Sequence, residues 1–217
     1  MKFVASIALV KTSWKEKDNI MSKLTTRNIL KVYRNATPQE KAQGLAWYDE
    51  AQKACKDMSI KHKVPMHIVT AVCAALSPSN KWARNLIDTD TIIAAYLKGD
   101  AIETVKVSTY NAMKEKAWGI LSESPTTSKA MALLNGQKII SFFECIMGMD
   151  NCCIDGHALN IVTNKRIPLN DAKTGLTKRK YKELQGLYRR AAKQEGIAAY
   201  EMQAITWVAW RNAHNIT

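Results

Sequence analysis

Acidic side chains are scarce in this chain of 217 residues: 19 aspartates and glutamates face 32 lysines and arginines, a formal net charge of +13 at neutral pH. The basic residues recur as KVYR (31–34), KHK (61–63), KWAR (81–84), TKRKYK (177–182) and RRAAK (189–193). A surface so charged gains free energy by displacing counterions from a polyanion, so nucleic acid is the partner the composition favours over a membrane surface. Long apolar runs are also missing. The longest uncharged run near the start, FVASIALV (3–10), leads into KTSWKEKDN without a small-residue cleavage site, so it reads as neither a signal peptide nor a membrane span. A cytoplasmic protein is expected, associated with the nucleoid if bacterial or viral.

The cysteines, at 55, 73, 145, 152 and 153, are odd in number and contain no C-x-x-C pair, which argues against a disulfide framework and against common zinc spacings. Cys152, Cys153 and His157 lie close in sequence. Adjacent cysteines point apart in most backbones, however, and no fourth ligand has a recognisable spacing. Neither a metal nor another cofactor is expected.

Proline (five) and glycine (nine) are few, and alternating β-branched runs are rare, so the chain reads as all-α. Its length suits a substantial core in one domain or two small lobes. The expectation is a compact, two-lobed helical bundle: an amino-terminal arm over 1–22, then a single helical domain over 23–217, acting as a monomer. Thr37, Pro38 and Glu40 carry the chemistry of a helix start, and that helix is expected to run to about Met58. Further helices are expected over 65–77, over 85–99 ending at Gly99, over 109–122, and as two closing segments over 178–196 and 198–215. A polar linker (122–128) and a basic loop (165–177) separate them.

The chemistry concentrates in LLNGQKIISFFECIMGMDNCCIDGHALNIV (133–162). A turn at Asn135-Gly136 followed by a helix from Gln137 offers free backbone amides that can bind a phosphate. Lys138 falls in the first helical turn, where the helix dipole disfavours a cation. Either it faces solvent, or a phosphate or a role as amine nucleophile explains it. Seventeen residues later, Asp155 precedes GHALNIV and either caps that helix or serves chemistry beside the lysine.

These segments resemble the helix-hairpin-helix (HhH-GPD) superfamily of DNA glycosylases, whose members carry a glycine-rich hairpin, a catalytic lysine, a helix and then a Val-Asp-x-His segment. LLNGQKII (133–140) and CCIDGHALNIV (152–162) follow that order at similar separation. The resemblance implies a helix-hairpin-helix-like element with Asn135, Gly136 and Gln137 against DNA, Lys138 attacking the sugar C1′, Asp155 assisting base departure, and His157 near the DNA backbone. ALSPSNKWARN (75–85) resembles the gap-filling segment of the 8-oxoguanine-excising members, which would place Ser79, Asn80 and Lys81 at a wedge and Arg84 at the estranged base. MQAITWVAWR (202–211) resembles their closing helix, with Gln203 and Trp207 holding the flipped base; Phe142 is assigned to the same pocket.

Four residues separate Gln203 from Trp207, so both fall on one helical face, and an amide with an indole suits a flipped-base pocket. Plain core packing explains Trp210. The hairpin departs from the pattern in having one glycine and Asn135 where proline is usual, and no cysteine follows Cys153 to hold an iron-sulfur cluster. The expected function is a DNA N-glycosylase with lyase activity on duplex DNA, an oxidised purine such as 8-oxoguanine being favoured. The rivals are a relative performing another modification on a flipped base, a non-catalytic DNA-binding protein, and a helical interaction protein.

Overall fold

The computed structural model describes residues 24–169, 171 and 175–216. The expected arm over 1–22 lies outside them, as does part of the basic loop. The described residues are all helical, with no strand. Ten α-helices run α1 (Arg27–Asn35), α2 (Pro38–His62), α3 (Met66–Ala75), α4 (Trp82–Lys98), α5 (Asn111–Glu123), α6 (Thr127–Leu134), α7 (Gln137–Ile146), α8 (Gly156–Thr163), α9 (Lys178–Glu195) and α10 (Ala199–Ala213), with a 3-10 turn at Ile102–Thr104.

Local chemistry sets many of the boundaries. Thr37 opens α2 with a reciprocal cap: its side chain accepts from the Glu40 amide, and its own amide donates to the Glu40 carboxylate. That cap reaches further, because Asn212 near the end of α10 donates to the other Glu40 oxygen. Thr126 and Thr177 cap α6 and α9 one way only, each side chain accepting from the amide of the lysine three residues on. Gly99 and Gly196 end α4 and α9 in the left-handed conformation. Three expectations shift. The α2 helix continues to His62, α6 begins inside the stretch expected to be a linker, and α1 was not anticipated.

Two large hydrophobic clusters and a small third one, of Ala36, Ile205 and Ala209, form the core. The first surrounds α3, which is buried without interruption from Ile68 to Ala75 and is enclosed by α2, α4, α5, α6 and α7. The second packs α1, α8 and α9 against Met202 and Trp210 of α10. Trp210 is therefore a core residue, as the sequence suggested. The α10 helix serves both clusters, since Ala204 belongs to the first.

The α10 helix packs closely against α2 at Gly44. A Cβ built on Gly44 would lie 2.4 Å from the Ile205 Cα and 2.7 Å from its amide nitrogen. The two backbones touch there, so glycine is required for space. One turn further along α2, Tyr48 donates a hydrogen bond to Gln203 Oε1 at 3.0 Å. Gly44→Ala should separate α2 from α10 and cost about 1–3 kcal/mol through overpacking, outweighing the gain of ~1 kcal/mol in helix propensity. Urea denaturation of the variant beside the parent checks this.

Candidate functional site

Between α3 and α4 the chain turns through residues 77–81. Ser79 sits in the left-handed region at φ 54°, unfavourable for a residue with a Cβ. Its hydroxyl is hydrogen-bonded to that of Tyr110 at 2.8 Å, and Thr109 donates to the Pro78 carbonyl at 2.6 Å, so the segment before α5 braces the turn. Behind it lies Asp88, fully buried on α4. Its carboxylate accepts from Asn80 Nδ2 at 2.9 Å, the Ser108 amide at 2.8 Å and Arg84 Nε at 2.8 Å. A buried carboxylate needs such donors, and here they fix the turn and its neighbour together.

The turn between α6 and α7 is two residues long. Asn135 takes the left-handed conformation at φ 44° and ends α6, and Gly136 is extended. Lys116 from α5 donates to the Leu134 carbonyl, one of those left open at the end of α6. Burial holds the Lys116 pKa below its ordinary value. On α7, Lys138 is exposed. In the first turn of a helix whose apolar face points inward, this side chain is turned to the rim.

After α7 the chain returns along 147–154, held by a buried polar network. Gln185 of α9 donates to Asn151 Oδ1, to the Ser141 hydroxyl and to the Cys152 carbonyl, while Asn151 donates to Glu144. The adjacent cysteines do point apart: Cys152 Sγ lies near the Gln185 carbonyl and Cys153 Sγ near that of Lys138. Burial pushes both thiols up to about 12. No group of three or more His, Cys, Asp or Glu side chains among the described residues could hold a metal ion.

This return delivers Asp155 to the start of α8. Oδ1 accepts from the Ala158 amide at 2.8 Å, which caps the helix. Oδ2 accepts from the Trp207 indole nitrogen at 3.1 Å. Capping uses one oxygen, while the other is held at the cavity by α10. Gln203, Trp207 and Arg211 form an i, i+4, i+8 stripe on that helix, and all three face one cavity.

The cavity has a volume of about 470 Å³. Its walls include the candidate residues Ser79, Asn80, Lys81, Lys138, Phe142, Asp155, His157, Gln203 and Trp207. Four aromatic rings meet there: Trp47 lies 5.2 Å from Trp82, 5.9 Å from Phe142 and 6.2 Å from Trp207 between ring centres. These edge and tilted contacts are favourable ring geometries. Gln137 adjoins a smaller cavity shared by Lys138 and Asp155. Asn135, Gly136 and Arg84 border neither cavity, and the Arg84 guanidinium is instead anchored by Asp88.

Sequence reasoning missed Trp47, Tyr48, Trp82, Asn85 and Arg211, which also line the main cavity. Trp82 lay inside a quoted motif and its aromatic character was a usable signal. Trp47 and Tyr48 reach the site only through the α2–α10 crossing, which no local pattern reveals.

Residues 11–214 match the model of a family of unknown function, DUF7178, and the chain belongs to that family. No curated protein and no solved structure matches the chain.

His157 is buried on the cavity wall, its ring 6.3 Å from that of Trp207. Burial lowers its pKa below the ordinary histidine value; Asp155 opposes the shift, and Arg211, Lys138 and His214 add to it. The folded state therefore favours the neutral ring. As pH falls below about 6.5 the unfolded chain takes up this proton first, so stability declines through the lowered folded value. Denaturant titrations at pH 7.5 and 5.5 should show this loss in the parent, and His157→Gln should lack that part of it.

Proposed function

We propose that this protein is a DNA N-glycosylase with lyase activity, acting on a base everted from duplex DNA. One observation carries the reading: Asn80, Lys138, Asp155, Gln203 and Trp207, far apart in sequence, line a single cavity with aromatic walls. An amine, a carboxylate, an amide and stacked indoles are the groups that base excision requires. The formal charge of +13 supports a polyanionic partner. No helix among the described residues is long and apolar enough to cross a membrane, and the protein is proposed to act in the cytoplasm, at the nucleoid of a bacterial or viral host.

In this mechanism the everted base stacks in the aromatic cavity. Tyr48 holds Gln203 Oε1, which leaves the amide nitrogen as the end that donates to a carbonyl or ring nitrogen of the base. The neutral ε-amine of Lys138 attacks C1′ as the glycosidic C1′–N bond breaks, and the base leaves with the bonding electrons and is protonated. The Asp155 carboxylate stabilises the positive charge that develops on the sugar. Opening of the sugar ring then gives an iminium, and loss of a C2′ proton expels the 3′ phosphate. Lys138 is exposed in the free protein, and DNA closing over the cavity mouth excludes water from around it. An oxidised purine such as 8-oxoguanine is the favoured substrate, and a monomer the favoured state. The turn at Asn135-Gly136, with α6 and α7 on either side, would serve as the hairpin against the DNA backbone.

The test uses duplexes bearing 8-oxoguanine, oxidised or hydroxymethylated pyrimidines, uracil or an abasic site, each incubated with the protein and borohydride. A covalent adduct is expected with 8-oxoguanine and the abasic site, and it should vanish in Lys138→Gln. DNA binding without an adduct on any duplex would overturn the lyase mechanism and favour a relative with other chemistry on the flipped base, or a non-catalytic binder.

A further inference from the structure

Arg211 stands out among the groups on the cavity wall because no carboxylate among the described residues pairs with it. Its guanidinium carbon lies 4.2 Å from the centre of the Trp207 ring, so one face of the planar group is taken up by the indole. The edge, with its N–H donors, is what remains for a ligand. No ion pair joins Arg211 to a carboxylate among the described residues, whereas Arg34 and Arg84 are paired with Glu195 and Asp88. Arg211 Nε is buried without a hydrogen-bond partner, and so is Nδ1 of His157 across the same cavity.

Among the described residues Asp155 is the one carboxylate lining this cavity, and it forms no ion pair with the arginine. Its two oxygens are engaged by the Ala158 amide and the Trp207 indole. Lys138 and Lys81 add further positive charge to the wall. A cation left without a counter-charge beside an apolar cavity costs free energy, which an incoming anion recovers.

We propose that Arg211 is the phosphate-gripping residue of the site, its guanidinium edge binding the phosphate next to the everted nucleotide while its face stacks on Trp207. This rests on the glycosylase reading, from which the anion follows: a base lodged in the cavity carries its flanking phosphates to the cavity mouth. A guanidinium edge matches two phosphate oxygens with parallel N–H donors. The same arrangement gives Trp207 two tasks, since its ring carries Arg211 and its nitrogen holds Asp155.

The experiment measures binding to a duplex containing a tetrahydrofuran abasic analogue, which cannot react, over a series of salt concentrations. Arg211→Met, which preserves an apolar stem over Trp207, should weaken binding about tenfold near 0.1 M salt and reduce the slope of log affinity against log salt by about 1. Arg211→Gln keeps a polar side chain, removes the charge and carries the same expectation, so a folding defect in one variant does not decide the matter. A second readout replaces each phosphate near the analogue by a neutral methylphosphonate in turn. At one position the parent should lose affinity and the Arg211 variants should lose no more. Equal slopes in parent and variants, or no position with that non-additivity, would overturn the assignment. If the parent still forms the borohydride adduct, the glycosylase reading survives that failure. A parent that shows neither adduct nor salt-dependent binding sinks both.

Discussion

Backbone contact between α2 and α10 at Gly44 and Ile205 is the constraint from which the site follows. The crossing brings two helices far apart in the sequence so close that no side chain fits at residue 44. It places Trp47 and Tyr48 within reach of Trp207 and Gln203. The cavity is thus built where two cores meet: α3 and its neighbours supply one side, and α8 with α10 the other. A pocket at such a junction can have rigid walls and still open to solvent on one side, as binding a base from a duplex requires.

Asp155 shows how the fold supports the chemistry. A carboxylate at a helix start is common and stabilising, and with only one oxygen used it would remain free to rotate. Here the second oxygen is held by the Trp207 nitrogen, and the chain leading to Asp155 is anchored by Gln185 and by Tyr181, whose hydroxyl accepts from the Ile154 amide. Orientation of the carboxylate therefore depends on α9 and α10, not on α8 alone. Preorganisation of this kind lets a charged group stabilise a transition state without rearranging when the reaction occurs. Lys138 contrasts with it. The amine sits on a well-formed helix but is solvent-exposed, so its reactivity in the proposed mechanism is conditional on DNA covering it.

Legibility followed the range of the interactions. Thr37 with Glu40, Gly99 and the uninterrupted apolar run of α3 are local signals, and each marked its element correctly to within a few residues. The α1 helix escaped notice because only Ile29 and Leu30 are buried in its short, largely polar sequence. At the site, the i, i+4 spacing of Gln203 and Trp207 is local, and both do share a face. Whether Lys138 is exposed was not legible, because apolar neighbours in sequence describe one side of a helix and say nothing about the side the lysine occupies. Asp88 was invisible for a related reason: Arg84 is its i, i+4 neighbour on α4, but Asn80 and Ser108 come from the turn before α4 and the segment before α5.

The central claim is that the aromatic cavity receives an everted base. The most direct test is the crystal structure of Lys138→Gln bound to a duplex carrying 8-oxoguanine, a complex that binds without reacting through the lysine. The expected result is an extrahelical base in the cavity, stacked on Trp207 and hydrogen-bonded to Gln203. A base still stacked within the duplex, with the DNA lying across a different face of the protein, would contradict the claim.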